Sequence, residues 1–320
     1  MQKLLWAAAL VALAAFPATA NADGIAFAGT ENGGTGATSP ETSFHYATLT
    51  LPKQTVVTKA DGSGSILNYR SLPGQWGIAI VAFDGSTAGL STDGNKLVLA
   101  QPPIGRMRRV SQFPVLNARN LSPVETVVLQ GSFSFDALSP DGSTLYLIEH
   151  VNRQDVSQYR VRAYDLETDR LLPKPIRDPK TGEIMHGYPM SRATSADGRW
   201  AYTLYQAEGH SFVHALDTVN RKAACIDLPA DTPPEYVGDS RLVVGPSGDL
   251  TVDSRSGGVL AVIDTEKHTL RLEEAPTPAA AQPTKDELVD EDERAQHDDR
   301  RADHDQDGGQ SGQHRMTSAA

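Results

Sequence analysis

The chain has 320 residues, with 29 Lys or Arg against 40 Asp or Glu, a formal net charge of −11. That balance repels phosphate backbones and argues against a nucleic-acid partner. The single cysteine, Cys225, excludes an internal disulfide and any metal or redox motif built on a cysteine pair.

The first residues read MQKLLWAAALVALAAFPATANA. Lys3 precedes an apolar run from Leu4 to Phe16, and small residues follow with two A-x-A sites, Ala18-Thr19-Ala20 and Ala20-Asn21-Ala22. This layout predicts a secretory signal peptide over 1–22 and a secreted or periplasmic mature chain. The run is shorter than the ~20 apolar residues of a membrane helix. No second long apolar run follows, so no membrane span is expected in the mature chain.

From 23 to 274, Gly, Pro, Ser, Thr and Asp punctuate short alternating apolar runs. Short strands between turn residues predict an all-β sandwich, barrel or propeller. One turn recurs: Ser91-Thr92-Asp93-Gly94, Ser139-Pro140-Asp141-Gly142 and Ser195-Ala196-Asp197-Gly198, with a weaker copy at Gly245-Pro246-Ser247-Gly248. Its glycines lie at 94, 142, 198 and 248, so they are 48, 56 and 50 positions apart. An Asp-Gly pair supplies the positive φ of a tight hairpin, and a period near 50 signals repeated supersecondary units. A second marker keeps the same beat. Arg162–Asp165, Val213–Asp217 and Leu260–Asp264 are apolar strands that end in Asp at a turn, and another apolar strand follows each. Each unit therefore holds four strands, which is the content of a propeller blade.

The S-P-D-G-x-x-L-Y turn followed by YDLETDRL resembles bacterial exported propellers of the TolB and YncE (YVTN-repeat) type, with WD40-like blades. The resemblance covers about Trp76 to Glu274. A divergent first blade is expected in Gly24–Gln75, with GIAFAGT, FHYATLTL, TVVTKA and SILNYRSL as its strands. The expected fold is an all-β propeller of about five four-stranded blades, where members of the family usually have six or seven.

After Glu274 the apolar pattern stops. APTPAAAQPT reads as an extended Pro/Ala linker. The rest of 275–320 holds eleven acidic and five basic side chains, too little apolar surface to offset its ordering entropy, so a disordered acidic tail is expected. Asp303, Asp305 and Asp307 with Gly308 match the start of a calcium-binding EF-hand loop. The closing position holds His314 where a bidentate Glu belongs, so the expectation is a solvated tail and no cofactor, with calcium the ion the pattern would suit.

Catalytic motifs are sparse. Gly131-Ser132-Phe133-Ser134-Phe135 lacks the second glycine of a nucleophile elbow, no H-E-x-x-H occurs, and Gly33-Gly34-Thr35-Gly36 lacks the strand-to-helix context of a nucleotide loop. Asp136 and Arg192 occupy equivalent positions of successive inner strands, where they can pair with each other or bind a ligand; pairing is favoured. His186, Tyr188 and Arg192 enter the next unit from a long loop, the kind of segment that carries function. Glu149-His150 and the pair His210 and His214 read as structural. These features favour a non-enzymatic binding or scaffold protein for a protein, peptide or glycan in the cell envelope. The alternative is a propeller-type hydrolase such as a lactonase, for which the resemblance points to Asp136, Glu149 and His186. A third reading is an envelope accessory protein whose acidic tail docks a basic partner.

Overall fold

A computed structural model describes residues 29–39 and 42–271. The chain divides into two units, 1–272 and 273–320. The expected signal peptide, the acidic tail, and Asp303, Asp305 and Asp307 lie outside the described residues.

The first strand, β1 (Gly29–Glu31), precedes a four-stranded antiparallel blade of β2 (Ala37–Thr38), β3 (His45–Thr50), β4 (Gln54–Ala60) and β5 (Ile66–Pro73). A hairpin follows, β6 (Ile78–Ile80) and β7 (Thr87–Ala88). The second blade has β8 (Lys96–Val98), β9 (Val110–Asn117) and β10 (Pro123–Gln130). Its innermost strand is the continuation of β7, joined through the Leu90–Leu97 bridge and the Val98 N–H to Gly89 carbonyl bond of 2.7 Å. The third blade contains β11 (Ser132–Leu138), β12 (Thr144–His150), β13 (Gln158–Asp165) and β14 (Arg170–Leu171), with β15 (Met185–His186) also on β13. The fourth is β16 (Tyr188–Thr194), β17 (Trp200–Ala207), β18 (His210–Asp217) and β19 (Lys222–Asp227). One helical turn, α1 (Pro234–Gly238), leads to the fifth blade, β20 (Ser240–Val244), β21 (Leu250–Ser254), β22 (Gly258–Asp264) and β23 (Thr269–Arg271). Among the described residues, five such blades stand beside the short β1–β6–β7 sheet, the all-β propeller architecture that the repeat predicts.

The recurring turn explains why the blades form. In three copies the serine hydroxyl donates to the aspartate carboxylate at 2.6 Å and accepts the N–H of the residue five positions on at 2.9 Å: Ser91, Ser139 and Ser195 do this for Lys96, Thr144 and Trp200. The aspartate in turn accepts the N–H two residues later. Each turn thus satisfies its own backbone donors and launches the next strand. Gly142 sits at φ +68° and Gly198 at φ +72°, a region that side chains with a Cβ avoid.

The second marker closes the third strand of each blade. The carboxylates of Asp165, Asp217 and Asp264 each accept two N–H groups of the turn that follows. The residue four positions on, Asp169, Arg221 and His268 respectively, takes a positive φ. In the second blade the Asn117 side chain accepts one such N–H, from Arg119, its carbonyl accepts that of Leu121, and Leu121 takes the positive φ. Asn in place of Asp hides this copy in the sequence.

Alternation along the strands gives the blades apolar faces that stack on neighbouring blades. Four buried clusters result, between the first and second, second and third, third and fourth, and fourth and fifth blades. Two buried tyrosines pin blades together by the same device. Tyr46 donates to the carbonyl of Ala118 at 3.0 Å and Tyr146 to that of Thr218 at 2.8 Å, each just past the turn residue of the next blade.

One expectation needs correction. Of GIAFAGT only Gly29 and Thr30 are among the described residues, and they do not lie in the inner strand of the first blade, which Ala37–Thr38 forms. Both lie in β1, which pairs instead with β6, Gly29 opposite Ile80 and Glu31 opposite Ile78. Glycine makes that approach possible: a Cβ on Gly29 would lie 3.0 Å from the Ile80 side chain, and one on Gly77 would lie 2.6 Å from that of Thr30.

The β6–β7 hairpin packs against the inner strands of the third and fourth blades. Val81 joins the cluster of Phe133 and Phe135 on β11. At its tip the N–H groups of Phe83 and Asp84 donate to the carbonyls of Pro189 and Met190 on β16, at 2.9 and 3.0 Å.

Candidate functional site

Asp136 and Arg192 meet, as the pairing expectation has it. The Arg192 guanidinium donates to the Asp136 carboxylate and also to the Asp136 carbonyl, and both side chains are buried. The hairpin covers this pair: Asp84 accepts the Arg192 N–H at 3.4 Å and Ser86 donates to the Arg192 carbonyl at 3.4 Å. The carboxylate is therefore occupied by a cation inside the fold. Tyr188 is exposed at the start of β16, its ring 6.4 Å from that of Phe83. It shares with Asp136 a recess of only about 30 Å³, room for roughly one water. His186 is exposed on β15 and does not line that recess.

The other sequence candidates are held by structural partners. Glu149 pairs with Arg162 on the neighbouring strand at 2.6 Å. His150 is buried, its Nε2 2.7 Å from the Ser134 hydroxyl, and burial lowers its pKa. His214 is buried while His210 is exposed, so the two do not share a site. Among the described residues, no group of three or more His, Cys, Asp or Glu is placed to hold a metal ion.

The structure builds a different site, at the junction of the second and third blades. The connection from β8 to β9, Gln101-Pro102-Pro103-Ile104-Gly105-Arg106-Met107-Arg108-Arg109, is kept out of strand form by its two prolines and by Gly105 at φ +71°. It folds over the inner end of the third blade and is fastened there. The Arg108 guanidinium donates to the Pro102 carbonyl, the Arg108 N–H donates to the Ser132 hydroxyl at 3.2 Å, and Gly131 N–H donates to the Arg109 carbonyl at 2.8 Å. Ser111 secures the floor by donating to the Gly131 carbonyl at 3.0 Å and accepting the Phe133 N–H at 2.8 Å.

Beneath this loop lies a cleft of about 340 Å³ floored by Phe113, Phe133 and Phe135, with Ala79 and Ile80 of the central hairpin on one side. The volume is that of an ordinary ligand pocket. Arg106, Arg108 and Arg153 line its rim. A shallower space of about 470 Å³ adjoins it, lined by the same three arginines, Arg109, Ile104, Met107 and Val110. No carboxylate lines either part. Arg106, Arg109 and Arg153 are exposed, while burial lowers the pKa of Arg108, which stays a cation at any physiological pH. Four guanidiniums gathered without an acid beside an aromatic floor are unusual in a chain of net charge −11. The sequence signal for this site is the run Arg106-Met107-Arg108-Arg109, which matches no carboxylate or histidine motif.

Several solved structures are similar to this chain over most of its length. They include hydrazine synthase of Kuenenia stuttgartiensis (17% identity over 72% of this chain and 76% of that chain, TM-score 0.41). The β-propeller domain of Myceliophteria thermophila Cps50 (Swd1) is similar at 11% identity, over 77% of this chain and 73% of that one, with a TM-score of 0.46. A protein described as TolB from Agrobacterium tumefaciens is similar at 13% identity, over 77% and 79%, with a TM-score of 0.38. No family model matches the sequence. No curated protein matches it. The fold stands on the five blades and their repeated turns; the chemistry has to come from the site.

Proposed function

We propose that the chain is a non-enzymatic binding protein of the cell envelope, an exported propeller of the TolB/YncE type delivered by residues 1–22, and that it holds a protein partner at the arginine-rimmed cleft. The observation that carries this reading is the joining of an aromatic floor to a guanidinium rim. Aromatic side chains and arginine are enriched at the cores and hot spots of protein interfaces. The expected domain plan fits it: a propeller over 23–274 presents the cleft, and 275–320 follows as a linker and acidic tail. Among the described residues no helix is long and apolar enough to cross a membrane.

The test is site-specific photocrosslinking in the native envelope. With p-benzoylphenylalanine in place of Met107, which lines both parts of the cleft, one dominant protein adduct is expected. The same probe in place of Glu266, on the fifth blade's turn, gives none. Equal adducts from both positions, or saturable lactone or ester hydrolysis by the purified protein, would overturn the reading.

A further inference from the structure

The lining of the cleft says more than that it binds. We infer that its ligand is an acidic peptide segment carrying an apolar or aromatic anchor residue, the anchor seated over Phe113, Phe133 and Phe135 and the flanking carboxylates held by Arg106, Arg108, Arg109 and Arg153. This rests on the reading of the cleft as a binding site and names the chemistry of its partner.

Three features lead to a peptide. First, the charge is one-sided. Seven ion pairs occur among the described residues, and none involves these four arginines. An anionic partner would find one donor, Arg108, already partly desolvated and no carboxylate in the lining to compete with it. Second, the site is long. The aromatic hole and the adjoining shelf share Ile104, Arg106, Met107, Arg108 and Arg153, so one ligand can fill the hole and run along the shelf. An extended chain does both: one side chain enters the hole while carboxylates on either side reach guanidiniums. Third, the side-chain types suit carboxylates better than sugar hydroxyls. The lining offers planar five-donor forks, which match carboxylates bidentately. It lacks the Asp and Glu acceptors that read sugar hydroxyls.

The Arg108 guanidinium is set apart from the other three. It is partly buried and tied back to the Pro102 carbonyl. Its fork is held in place before any ligand arrives, which reduces the ordering cost of binding. Arg106 and Arg109 flank it on the same loop, and Arg153 approaches from the β12–β13 connection of the third blade.

The experiment uses the full mature chain and fluorescence anisotropy of a fluorescein-labelled peptide, EDELFEDED. Saturable binding is expected, weakening as salt is raised because the contacts are ionic. The neutral peptide QNQLFQNQN and the anchorless peptide EDESSEDED should each bind at least about tenfold more weakly, since each loses one of the two halves of recognition. Arg108→Gln combined with Arg153→Gln should weaken EDELFEDED by about tenfold or more, the loss expected for charge-assisted bonds. Arg241→Gln, an exposed arginine on the fifth blade, should leave it unchanged and serves as the control for general charge.

Equal binding of the neutral peptide would make the site a plain apolar pocket and overturn the proposal. Equal binding of the anchorless peptide, or displacement of the probe by polygalacturonate or oligothymidylate at matching potency, would make it a generic polyanion site and overturn it likewise. Any of these results with a Met107-position adduct still formed leaves the binding-protein reading standing. Silence of every peptide together with silence of that crosslink removes both.

Discussion

Arg192 and Asp136, fifty-six positions apart, share one buried ion pair between the inner strands of neighbouring blades. The contact commits this acid–base couple of the inner strands to the fold. A carboxylate committed to a guanidinium under a hairpin is poorly placed to take a proton from a substrate. The same commitment makes the pair a sharp probe of stability.

Removing one partner strands the other in the interior. Asp136→Leu or Arg192→Met alone is expected to cost about 3–5 kcal/mol, whereas the double replacement by apolar residues should cost less than either. Urea unfolding of the four proteins forms a double-mutant cycle. A double variant as unstable as the sum of the singles would show that the pair does not act as a unit.

Acid should loosen the fold before carboxylates titrate. Burial holds the pKa of His214 down at about 4, with Arg192 lowering it further and Asp136 opposing. The unfolded chain takes up the proton below about pH 6.5, while the folded chain refuses it down to about pH 4. Stability is therefore full above pH 6.5 and declines as the pH falls, by about 2 kcal/mol on reaching pH 5. His150 and His268, whose pKa values are also lowered by burial, add to the decline in the same sense. Urea midpoints at pH 7 and pH 5 should separate clearly in the native sequence and less so in His214→Gln.

The repeated turn glycines should not be equally sensitive. All take positive φ, so Gly→Ala costs about 1–2 kcal/mol at any of them. Space then sets them apart. A Cβ on Gly248 meets nothing within 4 Å, one on Gly142 meets the Lys96 side chain at 3.0 Å, and one on Gly198 would fall 1.8 Å from the Thr92 hydroxyl. Thermal melts of the three alanine variants should rank Gly248→Ala mildest and Gly198→Ala most damaging; a reversed order would mean that the Thr92 turn yields freely.

Cys225 should be quiet in the folded state. Burial, with Asp178 and Asp227 adding to it, pushes the thiol up to about 12. At pH 8 the thiolate is then about a thousandfold scarcer than for a free cysteine. Ellman's reagent should label the chain promptly in urea and only slowly in buffer.

Much of this architecture could be read from residues. Ser-x-Asp-Gly and the strand-ending Asp165, Asp217 and Asp264 are local chemistry: each satisfies its own backbone groups, so each writes itself into the sequence wherever a blade needs it. The pairing of Asp136 with Arg192 was legible for the same reason, through position in the repeat. What could not be read depends on distant neighbours. β1 and β6 are three residues each, too short to show alternation, and their union depends on Gly29 and Gly77 letting two backbones come close. The cleft was hidden because Phe113, Phe133 and Phe135 look like core residues of two separate strands until the arginine loop folds over them.

The hairpin tip has one more consequence, for the nascent chain. Phe83 finds its acceptor at Pro189, 106 residues later (189 − 83). At about 5–20 residues per second, the ribosome needs roughly 5–20 s to make that stretch. Until β16 has emerged, the N–H groups of Phe83 and Asp84 lack these two acceptors and Asp136 lacks Arg192. The first two blades can form early, but the central hairpin can be seated only after the fourth blade has been made.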